Sequence, residues 1–347
     1  MKDFGLSKET SVGTYLDPMS GFREKASVFE IRRDEISGVT SRILPYRFKM
    51  PQKPDLSGYL EKSPPAICPF CPELIDPLTP RFTADICPEG RFRRGRATLF
   101  PNAFPYDRYN AVIALSDEHS VDLDAFRPES MHDGFRLAWD YFERMARIEP
   151  SLRFASLNWN YMPPAGGGLI HPHLQTILGE KPTRFVARLL GSAGAYRERT
   201  GRDLWTDFLA REKDLGERHI ARTGPVTWLA SFAPKGMGGE VVFYFGERTA
   251  LRQISAADLS GFLEGLTCVL GYLHANNFIS FNLALYGAWE ENRDFTVQGR
   301  ISPRFLIPPL GTSDINYIEK YHDEVICPVV PEDLCREILP FFAAVLP

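Results

Sequence analysis

The 347-residue chain lacks the features that send a protein into or across a membrane. No apolar run reaches the roughly 18 residues that span a bilayer. The opening stretch, MKDFGLSKETSVG, has no basic-then-apolar leader. An excess of one charge is also missing: 40 Lys+Arg stand against 44 Asp+Glu, with no dense basic stripe. Bulk nucleic-acid binding, which depends on neutralising phosphates, is therefore not expected. Cysteine is sparse at six residues, and without an export leader a disulfide framework is not expected. The expectation is a soluble cytoplasmic protein. Apolar types at 44% suffice for a sizeable core, in two domains or in one large domain of two similar halves.

Four of the cysteines, Cys87, Cys268, Cys327 and Cys335, are isolated and read as buried or idle thiols. Cys68 and Cys71 differ, because they form a C-x-x-C knuckle, Cys-Pro-Phe-Cys-Pro, with prolines holding the turn. Of seven histidines only His171 and His173 lie close together, in Gly-Gly-Gly-Leu-Ile-His-Pro-His-Leu-Gln over 166–175. His132, His219, His274 and His322 occupy polar or helical stretches and read as surface residues.

Residues 1–66 are rich in Pro, Arg and Gly, with strand-like pieces such as 26–32, and read as a partly extended arm that wraps something. From Ala97 the pattern turns strand-like, with 97–100 and 109–115 flanking an Asn-Ala-Phe-Pro-Tyr-Asp loop. Phe135, Trp139, Phe142 and Met145 fall at helical spacing within 129–147. Strands are expected at 154–160 and 169–177, and a charged helical connector at 182–216. The second half repeats this order: strands at 228–232 and 241–245, a helix at 256–273, strands at 278–286 and 294–301, and a closing helix at 331–345. Phe-Ala-Ser-Leu-Asn at 154–158 resembles Phe-Ile-Ser-Phe-Asn at 278–282, a shift of 278 − 154 = 124 positions. That shift carries His171 to Phe295 and His173 to Val297. The fold class expected is α+β, two duplicated units, each an antiparallel sheet with helices packed on it. The expected boundaries are an arm at 1–66, a first unit at 67–195 and a second, degenerate unit at 196–347.

Zinc takes four N/S ligands in a tetrahedron, and a C-x-x-C turn supplies two of them. His119 and His171 are candidates for the other pair; the long gaps would make the metal a staple between distant loops. Two rivals stand beside this reading, a redox pair and two structural cysteines. A redox pair usually opens a helix, and Pro72 with the polar stretch after it does not suggest one.

On a strand, residues i, i+2 and i+4 share a face, so His171, His173 and Gln175 line up. The glycine run ahead of them lets backbone N–H groups approach a phosphate. A neutral imidazole can attack phosphorus and form a phosphoramidate, and an amide such as Gln175 can donate to the phosphoryl oxygens. The alternative is two packing histidines beside a glycine turn. Lys235, in the glycine-rich loop 234–239, reads as a solvated turn residue, with phosphate contact as the alternative.

These residues together resemble the galactose-1-phosphate uridylyltransferase family, the transferase branch of the histidine-triad superfamily. The likeness rests on His171-Pro-His173-Leu-Gln175, on Cys68-Pro-Phe-Cys71 with His119, on Asn102-Ala-Phe104, and on Asn158-Trp-Asn160 ahead of the glycine loop, and it extends over the whole chain. It implies that Cys68, Cys71, His119 and His171 bind structural zinc. It also implies that His173 is the nucleophile carrying a nucleoside monophosphate, and that Gln175 holds the phosphoryl oxygens. Asn102 and Phe104 would seat the nucleoside, and Asn160, Gly167 and Gly168 the phosphates. A homodimer is implied, with the arm of one chain reaching the other.

Three departures matter. The serine of the family's glycine loop is Gly168 here. The family's second metal site, iron in some members, uses a second-half His-x-His; the matching strand is read as Asn282-Leu-Ala284, so no iron site is expected. Where the family has Tyr-Glu and then a hexose-binding Gln, this chain reads Tyr317-Ile318 with Glu324 later. The expected activity is nucleotidyl transfer from a nucleoside diphosphate sugar by double displacement, of the hexose-1-phosphate uridylyltransferase type and hence of galactose metabolism. The alternatives are phosphorolysis of an ADP-sugar or a dinucleoside tetraphosphate with inorganic phosphate as acceptor, and a non-catalytic sugar-nucleotide binding protein.

Overall fold

The structure, a computed structural model, describes residues 4–44, 50, 52–343 and 345. The chain opens with β1 (Leu6–Asp17) and β2 (Arg23–Asp34), a hairpin in unbroken antiparallel register from Leu6 opposite Asp34 to Asp17 opposite Arg23. β3 (Val39–Ile43) adds to β2. The arm expected at 1–66 is therefore largely a sheet, although residues 1–3, 45–49 and 51 lie outside the described residues. Its outer part stays exposed, since two strands alone have no second layer to cover them.

Helices α1 (Ser57–Lys62) and α2 (Pro72–Leu78) lead to β4 (Phe92–Arg94), β5 (Ala97–Pro101) and β6 (Ala111–Ala114). The amphipathic stretch forms α3 (Pro128–Ile148), started by Pro128, whose missing N–H costs nothing in a first turn. Then come β7 (Phe154–Tyr161) and β8 (His173–Gly179). The connector at 182–216 is two helices, α4 (Arg184–Thr200) and α5 (Leu204–Leu215), separated at Gly201, which takes a left-handed conformation that stops α4.

In the second half lie β9 (His219–Thr223), β10 (Val226–Ala230), β11 (Val241–Tyr244), α6 (Ala256–Ala275), β12 (Ser280–Ala288) and β13 (Gln298–Arg304). A small hairpin, β14 (Leu306–Ile307) with β15 (Thr312–Ser313), precedes α7 (Tyr317–His322), β16 (Glu324–Cys327) and α8 (Pro331–Phe342). The last helix stops short of 345. Strand β16 returns to pair in parallel with β3, a long-range partnership that no local pattern announces.

The halves share one ten-stranded sheet, in the order β4-β5-β6-β8-β7-β12-β13-β11-β10-β9. β7 and β12 form the seam. Trp159 faces Leu283 there, and 283 − 159 = 124, so the pair sits where the two copies meet. Alternation then sorts the faces. Leu157, Trp159, Leu174, Phe281, Leu283 and Ile301 point to one side and pack with α3, α6 and α8 in the main core. Over the second half, α4 and α5 cover the opposite face through Leu189, Trp205 and Phe208 against Val242, Tyr244 and Tyr286.

Register also corrects the correspondence of the halves. Gln175 pairs with Asn158, and Ser302 with Asn282, the copy of Asn158. Ser302 thus stands in the place of Gln175, and Arg300, two residues back, in the place of His173. Phe295 and Val297 are not the counterparts, because the loop before β13 is longer by three residues. The strand equivalent to the histidine strand is accordingly the one that opens Gln298-Gly-Arg300, not Asn282-Leu-Ala284.

Candidate metal and nucleophile site

Cys68 ends a short 3-10 turn (Pro65–Ile67), and the Cys71 N–H donates to its carbonyl at 3.2 Å, closing the knuckle. Pro72 then starts α2 with Cys71 as the residue ahead of it, so a helix does follow, contrary to expectation. Proline at a first helical position is preorganised for that role. Phe70, inside the knuckle, packs on Phe100 and against both His171 and His173.

His119, in the turn after β6, and His171, in the bend before β8, converge on this knuckle. The candidate ligand atoms of Cys68, Cys71, His119 and His171 all lie within 4.8 Å of one another. Cys71 Sγ is 3.4 Å from His119 Nδ1 and 3.7 Å from His171 Nδ1. Each imidazole donates its other nitrogen to a backbone carbonyl: His119 Nε2–H to Ser63 at 2.6 Å, His171 Nε2–H to Ser116 at 2.8 Å. Those bonds fix the tautomers so that both Nδ1 lone pairs face the cysteines, as metal-bound imidazoles do. Burial holds His171 neutral, with its pKa lowered to about 4. Burial and then the neighbouring Cys68 push the Cys71 thiol up to about 12. The buried Cys71 thiol thus resists ionising until a cation joins it, and the donor set suits tetrahedral zinc. The same thiol is the opposite of the low-pKa cysteine a redox pair needs.

The strand begins at His173, four residues later than expected, which leaves His171 in the preceding bend. His173 Nδ1–H donates to the carbonyl of His171 at 2.8 Å. Its Nε2 takes no hydrogen bond among the described residues. Burial lowers the pKa of this ring against the opposing pull of that hydrogen bond, so it is a neutral imidazole with its lone pair on Nε2. Gln175 follows on the same face, beside Asn158 on β7, whose Nδ2 lies 3.4 Å from the Gln175 carbonyl.

The loop between β5 and β6 carries Asn102 and Phe104 beside this face. Asn102 spends its side chain locally, with Nδ2 donating to Asn110 Oδ1 at 2.6 Å and Oδ1 accepting from Phe104 N–H at 3.0 Å. Phe104 is 86% exposed. Tyr106, which the sequence reading did not single out, reaches in and donates its hydroxyl to Gln175 Oε1. Only the fold reveals it, since no motif marks this tyrosine.

The glycine loop is shaped by its first two members. Met162 is buried at φ 68° and ψ 161°, a region that costs a non-glycine residue about 1–3 kcal/mol. Its carbonyl accepts from Ala165 N–H and Gly167 N–H. Gly166 has φ 85°, and a Cβ on Gly167 would lie 2.7 Å from the Asn160 carbonyl, whereas one on Gly168 would meet nothing. Asn160 Oδ1 accepts from Asn282 Nδ2 at 2.7 Å; Asn282 also donates to the Ala165 carbonyl and accepts from Arg304. The second half therefore braces the loop, another contribution that the sequence reading missed.

The fold, two similar α+β halves sharing one antiparallel sheet, is that of a solved ADP-glucose phosphorylase and of solved uridylyltransferases. An ADP-glucose phosphorylase from Arabidopsis thaliana with bound ADP-glucose superposes with a TM-score of 0.67 at 16% identity, over 90% of this chain and 98% of that one. A uridylyltransferase superposes at 0.64 and 18% identity, over 91% and 99%. No protein-family model matches the sequence. The chain is 32% identical over 321 residues to an uncharacterized protein of Archaeoglobus fulgidus, covering 92% of this chain and 94% of that one, and it belongs to that protein's family. No helix among the described residues is long and apolar enough to cross a membrane.

Proposed function

We propose that the protein is a nucleotidyltransferase that works by double displacement through a nucleotidyl-His173. The observation that carries this reading is the hydrogen bond from His173 Nδ1–H to the His171 carbonyl, which leaves Nε2 as an oriented lone pair. In the first step His173 Nε2 bonds to the α-phosphorus of a nucleoside diphosphate sugar as the P–O bond to the sugar 1-phosphate breaks. In the second step an oxygen of a phosphorylated acceptor, a sugar 1-phosphate or inorganic phosphate, bonds to that phosphorus and the N–P bond breaks. The Gln175 amide and the N–H groups of the glycine loop stabilise the phosphoryl charge. Tyr106 holds the Gln175 oxygen, which turns the amide nitrogen free to donate.

Cys68, Cys71, His119 and His171 would hold zinc, whose part is structural: it clamps the His171 end of the strand and so fixes the carbonyl that orients His173. Asn102 acts on a nucleoside only by shaping its loop, while Phe104 is free to cover a base. A homodimer, with the β1–β2 hairpin lying across a neighbour, belongs to the same reading.

Incubation of the zinc-loaded protein with UDP- and ADP-sugars labelled in the α-phosphate tests it. Acid-labile label on the wild type and none on His173→Ala is the expected result. Absence of label with every sugar nucleotide, or equal label on the variant, overturns the mechanism. Release of the label by phosphate or by sugar 1-phosphates then identifies the acceptor.

A further inference from the structure

A groove of about 350 Å³ runs over β7, β12 and β13, with Lys235 from the β10–β11 loop in its wall. Its other lining residues include Asn160, Asn282 and Arg304, which come from one face of those three strands. Asn160 on β7 lies opposite Asn282 on β12, and Asn282 lies opposite Ser302 on β13, two residues before Arg304. Side chains at such positions share one side of the sheet. Continuing the Asn158–Gln175 register by two residues brings Asn160 opposite His173 on the adjacent strand, β8. Asn160 is thus the member of the row next to the nucleophile, and Arg304 the member farthest from it.

A chain of hydrogen bonds runs along this row. Asp314 is buried directly after β15 and takes Arg304 in a fork, Nε–H to Oδ2 at 2.7 Å and Nη2–H to Oδ1 at 2.8 Å. The fork fixes the guanidinium plane and leaves Nη1–H for Asn282 Oδ1, at 2.8 Å. A guanidinium has donors only, so the oxygen of the Asn282 amide must face it. The Asn282 NH2 then goes to Asn160 Oδ1 at 2.7 Å and to the Ala165 carbonyl at 2.9 Å. With its oxygen taken, Asn160 keeps an NH2 that has no partner among the described residues. Each amide is therefore oriented by the group behind it. Reversed, Asn160 would offer an oxygen lone pair to a phosphate and repel it. The Arg304–Asp314 pair is neutral as a unit, so it acts through this geometry and not through net charge. The first copy has no such device. By register Ile177 is the counterpart of Arg304, and Asn158, the copy of Asn282, donates to Ser156 Oγ at 3.0 Å.

We propose that Arg304, locked by Asp314, is a positioning residue for nucleotidyl transfer. It sets the sense of the Asn282 amide, which holds Asn160 with its NH2 presented to the non-bridging oxygens of the phosphoryl group on His173. Arg304 itself touches no substrate. Through the Ala165 carbonyl the same amide holds the glycine loop. This role rests on the nucleotidyl-His173 reading.

Single-turnover labelling of His173 in the zinc-loaded full chain, with sugar nucleotides labelled in the α-phosphate, tests the assignment. Removing Arg304 alone would leave the Asp314 charge buried and unpaired. The variant is therefore Arg304→Met combined with Asp314→Asn, and its unfolding temperature is measured beside the rate. The labelling rate at saturating nucleotide is expected to fall about tenfold, the loss of one hydrogen bond to a charged group, while the half-saturating concentration changes by less than about twofold. Asn160→Ala should bring a similar fall. Added to Asn160→Ala, the Arg304 and Asp314 changes should cost less than about a further twofold, because the end of the chain is already gone. Asn282→Ser breaks the chain one link closer and gives a second cycle with the same expectations. A wild-type rate in these variants, or a full further tenfold on top of Asn160→Ala, overturns the relay while His173 still takes label. No label on the wild type with any sugar nucleotide overturns the nucleotidyl-transfer reading, and this role with it.

Discussion

Arg32 and Glu332, 300 positions apart, close on each other through two hydrogen bonds of 2.8 Å, Nη1 to Oε1 and Nη2 to Oε2. Arg218 joins the same carboxylate at 2.9 Å, and the two guanidinium groups lie over the Phe232 ring at 5.3 and 5.2 Å. This cluster locks the first hairpin and the last helix to the sheet edge. Burial alone would raise the Glu332 pKa, but the hydrogen bonds and charge of Arg32, with Arg218, outweigh it and bring the carboxyl down to about 2.

A depressed carboxylate stabilises the fold above its ordinary pKa of 4.5, and the stabilisation fades as pH falls toward 2. For Glu332 the contribution is of order 2–3 kcal/mol. Urea unfolding between pH 7 and pH 3 should show a loss of that size in the wild type. Glu332→Gln should lose about 2 kcal/mol at pH 7, because Arg32 keeps Glu30 and Arg218 keeps Glu212 but the carboxylate they share is gone, and its stability should fall less steeply with acid. A wild-type-like pH slope in the variant would refute the assignment.

Metal analysis of the purified chain should give about one zinc per chain. Cys68→Ser should abolish it. Chelation should lower the unfolding temperature by an amount set by metal linkage, about 4 kcal/mol at free zinc a thousand times Kd. A Cys68→Ser protein that keeps both its zinc and its unfolding temperature would remove the staple.

The glycine loop separates packing from access. Gly167→Ala puts a methyl 2.7 Å from the Asn160 carbonyl, so the backbone must shift, and a loss of about 1–3 kcal/mol is expected in thermal unfolding. Gly168→Ala meets nothing and should unfold like the wild type. Its effect should appear only in nucleotide binding or turnover, where a methyl obstructs the approach of a phosphate to the backbone.

Tyr106→Phe removes the hydroxyl that holds Gln175 Oε1. One neutral hydrogen bond is worth about 0.5–1.5 kcal/mol, so kcat/KM should fall by roughly two- to tenfold. Stability should change by less than about 0.5 kcal/mol, since the ring is largely exposed. An effect confined to stability would mean that Tyr106 only props its loop.

Local chemistry in the sequence made much of this legible. Cys68-Pro-Phe-Cys71 is a tight turn that brings two thiols together, with a proline inside it and another after it, and His173 with Gln175 share a face because strands alternate. The helix at 128–148 followed from Phe135, Trp139, Phe142 and Met145, and the internal copy from the two Phe-x-Ser-x-Asn strands. Register was harder. A three-residue difference ahead of β13 moves the partner of His173 from Val297 to Arg300, and no alternation pattern reveals an insertion in a loop.

The amino-acid sequence by itself determined the elements, the duplication and the identity of the groups that could touch a metal or a phosphate, since periodicity and residue chemistry are local properties. Tertiary structure alone decided that His119 meets the cysteines, that Tyr106 touches Gln175, that β16 pairs with β3, and that Lys235 lies in a groove rather than in open solvent. Each of these joins segments far apart in the chain, and their meeting depends on how the sheet closes around its core, which no short stretch of residues encodes.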